Sequence, residues 1–504
     1  MRRLLSLLLS AVLALSLTAC GSGPGPDGSS SGAASSGSGS GSIQTPVDIP
    51  FSLAVYDSYS LHPVLAENRA NLTLSPLLYE PLFQLDESLQ PVPVLCQSCT
   101  ASPDNLTWTF TLHPGVTFSD GTPCSGAAVA DALNLARQAG SRYAQRLRNV
   151  AAITGEETTL TITLNRPNGA LPALLDIPIA SGTGEHPTGT GPYILSGQGD
   201  ELTLTARSGW WQNKPLPAQE IPLASVNQSD DLISSFASGD AGLVDVDLMG
   251  TNALGYSGNY ETWDYTTTDF LYLGFNTQRG ICQNAGVRRA LAQAIDRSPI
   301  VQVDYASHAV AATLPVHPTS PLYGAAQAQA LAYDPEEAVA QLETMRVLGR
   351  SITLLVNSEN SAKADAAQRI AYQLEAAGVE VTLKKLAFED YTAALTAGNY
   401  DLYLGEVVLT ADFDLSPLLS SAGALNYGRW QDGQADLLLS AMTAASGDAR
   451  KTAADALFAY LNDQVPIAPI AFKNGSVLTQ WGRLSGLSPA RGNVFYQLEN
   501  WIIQ

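Results

Sequence analysis

An α/β fold is predicted by three observations: strands alternating with helices from Ser351 to Leu404, strict two-residue apolar alternation earlier in the chain, and 504 residues, enough for two or three cores. In the N-terminal half, Leu106 to Leu112, Leu160 to Leu164 and Leu202 to Leu204 alternate apolar with Thr, the pattern of strands with one buried face. Between the first two, Val129, Leu133 and Ala136 recur at helical spacing over Ala127 to Ala139, and Gly140 terminates that helix. Asp334, Pro335 and Glu337 make a helix start, with Val339, Leu342 and Met345 as its apolar face. Ser351–Val356 then reads as a strand, Ala362–Ala377 as a helix stopped by Gly378, Val379–Leu383 as a strand, Phe388–Ala397 as a helix, and Tyr400–Leu404 as a strand. Such a β-α-β-α-β unit builds parallel pairing with helices on both faces. Its ligands gather beyond the carboxyl ends of the strands, here the segment Gly405 to Pro417.

Charge and composition remove several function classes. With 26 Lys and Arg against 47 Asp and Glu, a net charge of −21 argues against a nucleic-acid partner. Five Cys are too few for a disulfide framework, and five scattered His leave little for a metal cage, so no metal or cofactor is expected. Residues 1–19 combine Met1-Arg2-Arg3 with an apolar run from Leu4 to Leu17, which is a signal peptide and too short to span a bilayer. Leu17-Thr18-Ala19-Cys20 looks like a bacterial lipobox, whose Cys20 carries lipid; an ordinary signal peptide with a chance Cys is the alternative. Residues 20–46 are then the lipidated Cys and a tether, since 17 of the 22 residues from Gly21 to Ser42 are Gly or Ser. A coil of that kind spans about 25 Å. The G-x-G-x-x-G at Gly23, Gly25 and Gly28 has no strand before it and no helix after it, so it is not a dinucleotide site.

Several segments in order carry a resemblance. They are Leu77-Leu78-Tyr79-Glu80-Pro81-Leu82-Phe83, Thr107 to Gly121, Gly189-Thr190-Gly191-Pro192-Tyr193, Leu273-Gly274-Phe275-Asn276, Val287 to Arg297, and Tyr333 to Ala338. Over about residues 72–440 the chain resembles the extracellular solute-binding proteins of peptide- and nickel-type ABC importers, family five. The resemblance implies a two-lobed periplasmic-binding-protein-like clamshell with mixed sheets. The first lobe is expected at 47–273 plus 467–504 and the second, holding the β-α-β-α-β unit, at 274–466, with crossing strands near Phe275 and Ile467 as hinges. Ligand binding across both lobes would then favour the closed form.

The resemblance also singles out Asp412. In peptide binders of the family, an acidic residue in a Trp-x-Ala-Asp run grips the ligand α-ammonium; here the run is Leu409-Thr410-Ala411-Asp412, with the aromatic missing. A cap on the following turn is the other reading of Asp412. Glu406, Tyr427, Arg429 and Trp430 are expected as further lining of the same cleft, whereas Arg288 and Arg289 read as surface or salt-bridging residues. Cys96-Gln97-Ser98-Cys99 suggests a structural disulfide between Cys96 and Cys99 in an exported chain, one of three connectivities open to Cys96, Cys99, Cys124 and Cys282.

The expected function is therefore a lipid-anchored receptor on the outer face of the cytoplasmic membrane. It captures a small solute, a peptide first, and passes it to an ABC permease with separate ATPase subunits, as a monomer that catalyses nothing. A receptor of the same fold for a sugar or metal chelate, or a peptide-signal sensor, is the alternative. An exported hydrolase ranks last, since none of the six Lys follows a Ser by three and no H-E-x-x-H occurs.

Overall fold

The computed structural model describes residues 51–504; the predicted leader, Cys20 and the tether lie outside the described residues. Strands β1 (Leu53–Val55), β2 (Cys96–Ala101) and β3 (Thr107–Leu112) open the chain; helix α1 (Gly126–Ala136) and strands β4 (Val150–Glu156) and β5 (Thr159–Leu164) follow. β2-β3-β5-β4 is an antiparallel sheet, and the predicted alternation is visible in β3, whose Trp108, Phe110 and Leu112 are buried while its Thr residues are half-exposed. α1 lays Val129, Leu133 and Ala136 into the core under this sheet. Ser125 caps it by accepting from Ala128 N. The approach is close: a Cβ on Gly155 would lie 1.9 Å from Gly126 O.

A second sheet takes β6 (Tyr193–Ser196), β7 (Thr203–Ala206) and β8 (Glu220–Ser225) in the order β1-β8-β7-β6, with β1 parallel to β8. The largest sheet holds β9 (Leu243–Val246), β10 (Tyr260–Phe275), β11 (Ser351–Asn357), β12 (Glu380–Leu386), β13 (Leu402–Val408) and β14 (Ile467–Gln480), ordered β9-β14-β10-β13-β11-β12. Helices α2 (Pro335–Thr344), α3 (Ser361–Ala376), α4 (Phe388–Ala397) and α5 (Gly447–Gln464) surround its second half. The predicted β-α-β-α-β unit is β11-α3-β12-α4-β13. β11 is parallel to both β12 and β13 and lies between them, so strand order reverses there.

Several boundaries differ from the prediction, among them the end of α1, which closes at Ala136 with Arg137 as its cap, short of the predicted Ala139 and Gly140. The third strand starts at Leu402, not Tyr400, because the Asp401 side chain takes a ladder position by accepting from Thr353 N at 2.9 Å. It continues to Val408 because antiparallel pairing with β10 carries it on, Asp269 lying opposite Val408. β12 runs three residues past Leu383, and exposed Lys384 and Lys385 mark it as a protected sheet edge. Asp334 caps α2 as expected, its carboxylate accepting from Glu337 N at 3.1 Å. Arg288 is a correction: it is buried, not at the surface. It donates to the carbonyls of Cys282, Gln464 and Val465, the last two at the C-terminal end of α5, where a cation complements the helix dipole. Arg289 does make a salt bridge, with Asp463.

β10 and β14 are the two long strands that connect different cores. At one end Leu271, Leu273 and Phe275 with Ala468 and Ile470 pack among Ile352, Ile370 and Leu404; at the other Val477, with Trp263 and Tyr265 against it, packs with Leu53, Tyr193 and Leu204. Between these ends the ladder slips. Tyr265 pairs with Gly475 and Asp269 with Lys473, so three residues of β10 oppose one of β14. The extra residues satisfy themselves through hydroxyls: Thr267 donates to Lys473 O and Thr268 to Leu409 O, each at 2.5 Å.

Candidate functional site

The carboxyl ends of β11 and β13, where strand order reverses, open onto a cavity of about 300 Å³. Its lining includes Asn357 and Glu406 from the strand ends, Asn360 and Lys363 from the start of α3, and Thr251 from the segment after β9. Thr251 is shared with a larger neighbouring cavity of about 490 Å³, which Tyr56, Arg69, Asp245, Asp247 and Tyr256 also line. The strand-end position is the one at which parallel α/β units collect ligands.

Charge between the cavities is organised around Lys473. Its side chain is 6% exposed, and its ammonium lies 2.8 Å from Asp247, 3.1 Å from Glu406 and 3.7 Å from Asp269. Burial alone would lower the Lys473 pKa, but the three carboxylates outweigh it and the pKa is raised. Asp269 moves up, first from burial and then from the neighbouring Glu406 and Asp247, against the pull of Lys473. These four side chains alone carry two negative charges (1 − 3 = −2), and Lys363, a cation of the same cavity that interacts with Glu406, brings the sum to one negative charge (2 − 3 = −1).

Of the residues expected from sequence, Glu406 alone lines the strand-end cavity. Tyr427, Arg429 and Trp430 do not join it, because their segment sits at the opposite end of β13. Gly428 O accepts from Thr277 N just beyond Phe275, which pairs with Leu402, and seven strand residues put that end about 20 Å from Val408. Trp430 is buried, with Asn426 bonding its backbone N–H and C=O, and packs in the core with Leu419 and Leu439. Tyr427 packs edge-on against Tyr403, and exposed Arg429 donates to Thr396 O at the end of α4.

Asp412 is buried and fully engaged. Its carboxylate accepts from Asn168 Nδ2 at 2.9 Å and Thr410 Oγ1 at 2.5 Å, while its main-chain oxygen accepts from the buried Arg450. A longer bond of 3.3 Å from Asp414 N is the turn contact of the second sequence reading. Asn168 comes from the N-terminal part of the chain. Around it Gly169 N reaches Thr443 O at 2.9 Å, Asn105 reaches Ala444 O at 2.8 Å and Arg148 reaches Asp414 at 3.3 Å. These bonds join residues 105, 148 and 168–169 to residues 412–414 and 443–444. At the strand-end cavity Asn360 Nδ2 donates to Met249 O at 3.0 Å.

The Cys96–Cys99 pair sits on β2, away from this site. Residues three apart on a regular strand face opposite sides, but the register slips between Cys96 and Ser98, and Cys96 Sγ donates to Ser98 O at 3.2 Å. Interaction between the two thiols lowers Cys99 to about 7 and, with burial, raises Cys96. Both are free thiols here, as are Cys124 and Cys282. No group of three His, Cys, Asp or Glu suited to a metal occurs among the described residues.

Sequence reasoning passed over Lys473, Lys363, Asp247, Asp269 and Asn168. A signal existed for Lys473, a lone cation in the apolar run Ile467 to Leu478. Asn168 offered none, because its partner lies 244 residues away.

Comparison with known proteins bears on the family and the fold. The chain is 28% identical over 390 residues to the glutathione-binding protein GsiB of Salmonella paratyphi A, covering 72% of this chain and 76% of that one. Among solved structures, the ABC transporter substrate binding protein CtaP of Listeria monocytogenes superposes with a TM-score of 0.72 at 18% identity, covering 90% and 99% of the two chains. HbpA2 of Haemophilus parasuis gives 0.74 at 20% identity, covering 90% and 99%. These neighbours establish the fold as the two-lobed binding-protein clamshell. The model of the bacterial extracellular solute-binding proteins, family 5, matches residues 90–429, and the chain belongs to that family.

Proposed function

We propose that this protein captures a small peptide bearing a free ammonium and hands it, chemically unchanged, to the permease of an ABC importer driven by ATPase subunits. The observation that carries the reading is the excess of carboxylates around Lys473 at the strand-end cavity. A ligand ammonium there completes a charge balance the protein leaves open, and a charge-assisted hydrogen bond in a closing cleft is worth about 1.5–3 kcal/mol. The glutathione-binding relatives support a peptide of about that size. In this reading Glu406 and Asp247 receive the ammonium. Asp412, bonded to Asn168, holds the two sides of the cleft together.

In this reading the lobes are 47–273 with 467–504, and 274–466, hinged on the crossing strands near Phe275 and Ile467, and the ladder slip between Tyr265 and Asp269 lies just inside the first lobe. Lipid on Cys20 and the Gly/Ser tether would hold a monomer at the outer face of the cytoplasmic membrane. Cys96 and Cys99 would close as a disulfide after export.

Native mass spectrometry of the purified chain with an equimolar tripeptide library tests the assignment. Free-amine members are expected to be retained and N-acetylated ones lost, and Glu406→Gln should weaken retention by about tenfold or more. Preferential retention of a sugar or a nickel chelate, or release of a cleaved peptide, overturns the reading.

A further inference from the structure

The larger cavity, of about 490 Å³, opens at the carboxyl ends of β1 and β9. Three charged residues line it, and each already has a partner. Arg69 lies 3.2 Å from Asp245, Asp245 also accepts from Tyr265 Oη at 2.8 Å, and Asp247 lies 2.8 Å from Lys473. Most of the remaining wall is apolar. Leu248, Leu254 and Tyr256 stay only half-buried, although they pack against the cluster of Leu232, Phe236 and Val244. The Tyr256 ring meets Phe236 edge-on at 5.3 Å, which holds it as a firm wall. Two more apolar side chains, Phe388 and Val408, are 58% and 63% exposed on the adjoining strand-end cavity, which shares Thr251. Incompletely buried apolar groups gathered around adjoining cavities gain from being covered. An ionic occupant would lose its water there and meet no unpaired opposite charge on the walls of the large cavity.

We propose that the large cavity receives a large apolar side chain of the bound peptide, carried by the residue that bears the free ammonium. This deepens the peptide reading and rests on it. Asp247 sets the placement, because it lines the large cavity and shares Lys473 with Glu406, which lines the strand-end cavity. An ammonium held between those two carboxylates brings the side chain of the same residue to the mouth of the large cavity. An aromatic group there buries about 150–250 Å². It covers Leu254 and Tyr256 without breaking the Arg69–Asp245 pair, whereas a charged group would have to compete for one partner of that pair. The cavity therefore selects for apolar bulk and against acidic or basic side chains at the first residue.

The test titrates the full chain by calorimetry with Ala-Ala-Ala, Phe-Ala-Ala, Ala-Phe-Ala, Ala-Ala-Phe, Glu-Ala-Ala and Lys-Ala-Ala. On the unaltered protein, which needs no mutant to fold, Phe-Ala-Ala is expected to bind about tenfold or more tighter than Ala-Ala-Ala. Glu-Ala-Ala and Lys-Ala-Ala should bind no tighter than Ala-Ala-Ala. Two variants locate the effect: Leu254→Asp sets a charge in the wall, and Ala70→Trp fills the cavity. Each should bring the affinity ratio of Phe-Ala-Ala to Ala-Ala-Ala to about 1. A preference for phenylalanine at the second or third position overturns the placement at the first residue. Equal affinity for all six peptides, or tighter binding of the Glu or Lys peptide than of Phe-Ala-Ala, overturns the cavity assignment and leaves peptide capture standing. A phenylalanine preference that survives in both variants overturns the cavity assignment as well. Failure of all six to bind overturns peptide capture and the side-chain site together.

Discussion

Asn168 Nδ2 donates to Asp412 Oδ2 at 2.9 Å, joining residues 244 positions apart beneath the surface. Asn168 lies between Leu164 and Leu171 of one core, and Asp412 between Ala411 and Phe413 of another. A hydrogen bond to a buried carboxylate is worth about 1.5–3 kcal/mol. Asn168→Ala and Asp412→Ala, alone and together in denaturant unfolding, should therefore show coupling of about 1 kcal/mol or more. Additive losses would show that the bond does not link the two segments energetically.

Gly274 and Gly405 predict steric intolerance. A Cβ on Gly274 would lie 2.1 Å from the Tyr403 ring, and one on Gly405 would lie 2.5 Å from the Tyr272 ring. The pairing explains this, since Gly274 sits opposite Tyr403 and Tyr272 opposite Gly405, each ring covering the neighbouring glycine. The rings themselves are locked edge to face at 5.7 Å. Gly274→Ala should lower unfolding stability by about 1–3 kcal/mol, and an unchanged midpoint would mean the strand pair can shift to admit a methyl.

His317 sets a pH dependence. It is 1% exposed, Nδ1 accepts from Thr319 N at 3.2 Å, and burial lowers its pKa from 6.5 to about 4. The folded protein therefore favours the neutral ring. Its contribution is complete above pH 6.5, and falling pH removes up to about 3 kcal/mol by pH 4. His317→Asn, which keeps an acceptor for Thr319, should flatten the melting-temperature profile between those limits. His62 is lowered by burial in the same sense, so some slope should persist. A profile identical to that of the unaltered protein would contradict the assignment.

Alkylation should separate the two cysteines of β2. Cys99 is half-exposed with its pKa at about 7, whereas Cys96 is buried and raised. Under reducing conditions Cys99 should label first, with a midpoint near pH 7, and oxidation should remove both thiols together. Faster labelling at Cys96 would contradict the geometry of the slipped register.

The β-α-β-α-β unit was legible because each helix carries its own stop, Gly378 and Gly398 both taking left-handed backbone, and because apolar spacing survives in α3 through Ala367, Ile370, Ala371 and Leu374. The position of the strand-end cavity followed from the same topology. Which residues fill it did not. Tyr427, Arg429 and Trp430 lie only some twenty residues past Glu406 in sequence, yet a chain that leaves the carboxyl end of β13 and returns past its amino end separates them in space. Glu406, Lys473 and Asp247 meet only through the sheet order, with Asp247 and Lys473 226 residues apart.

The slipped register of β10 against β14 has a mechanical consequence. Where three residues face one, the ribbon has no rungs to tear, and the Thr267 and Thr268 hydroxyls already anchor the slack. Lys473 stands at this crease, gripping acids from the segment after β9 and from β13. A rotation there would work against the Lys473 ion pairs and the pairing of Ala309 with Lys473 on the other edge of β14, so a ligand that rearranged those ions would change its cost.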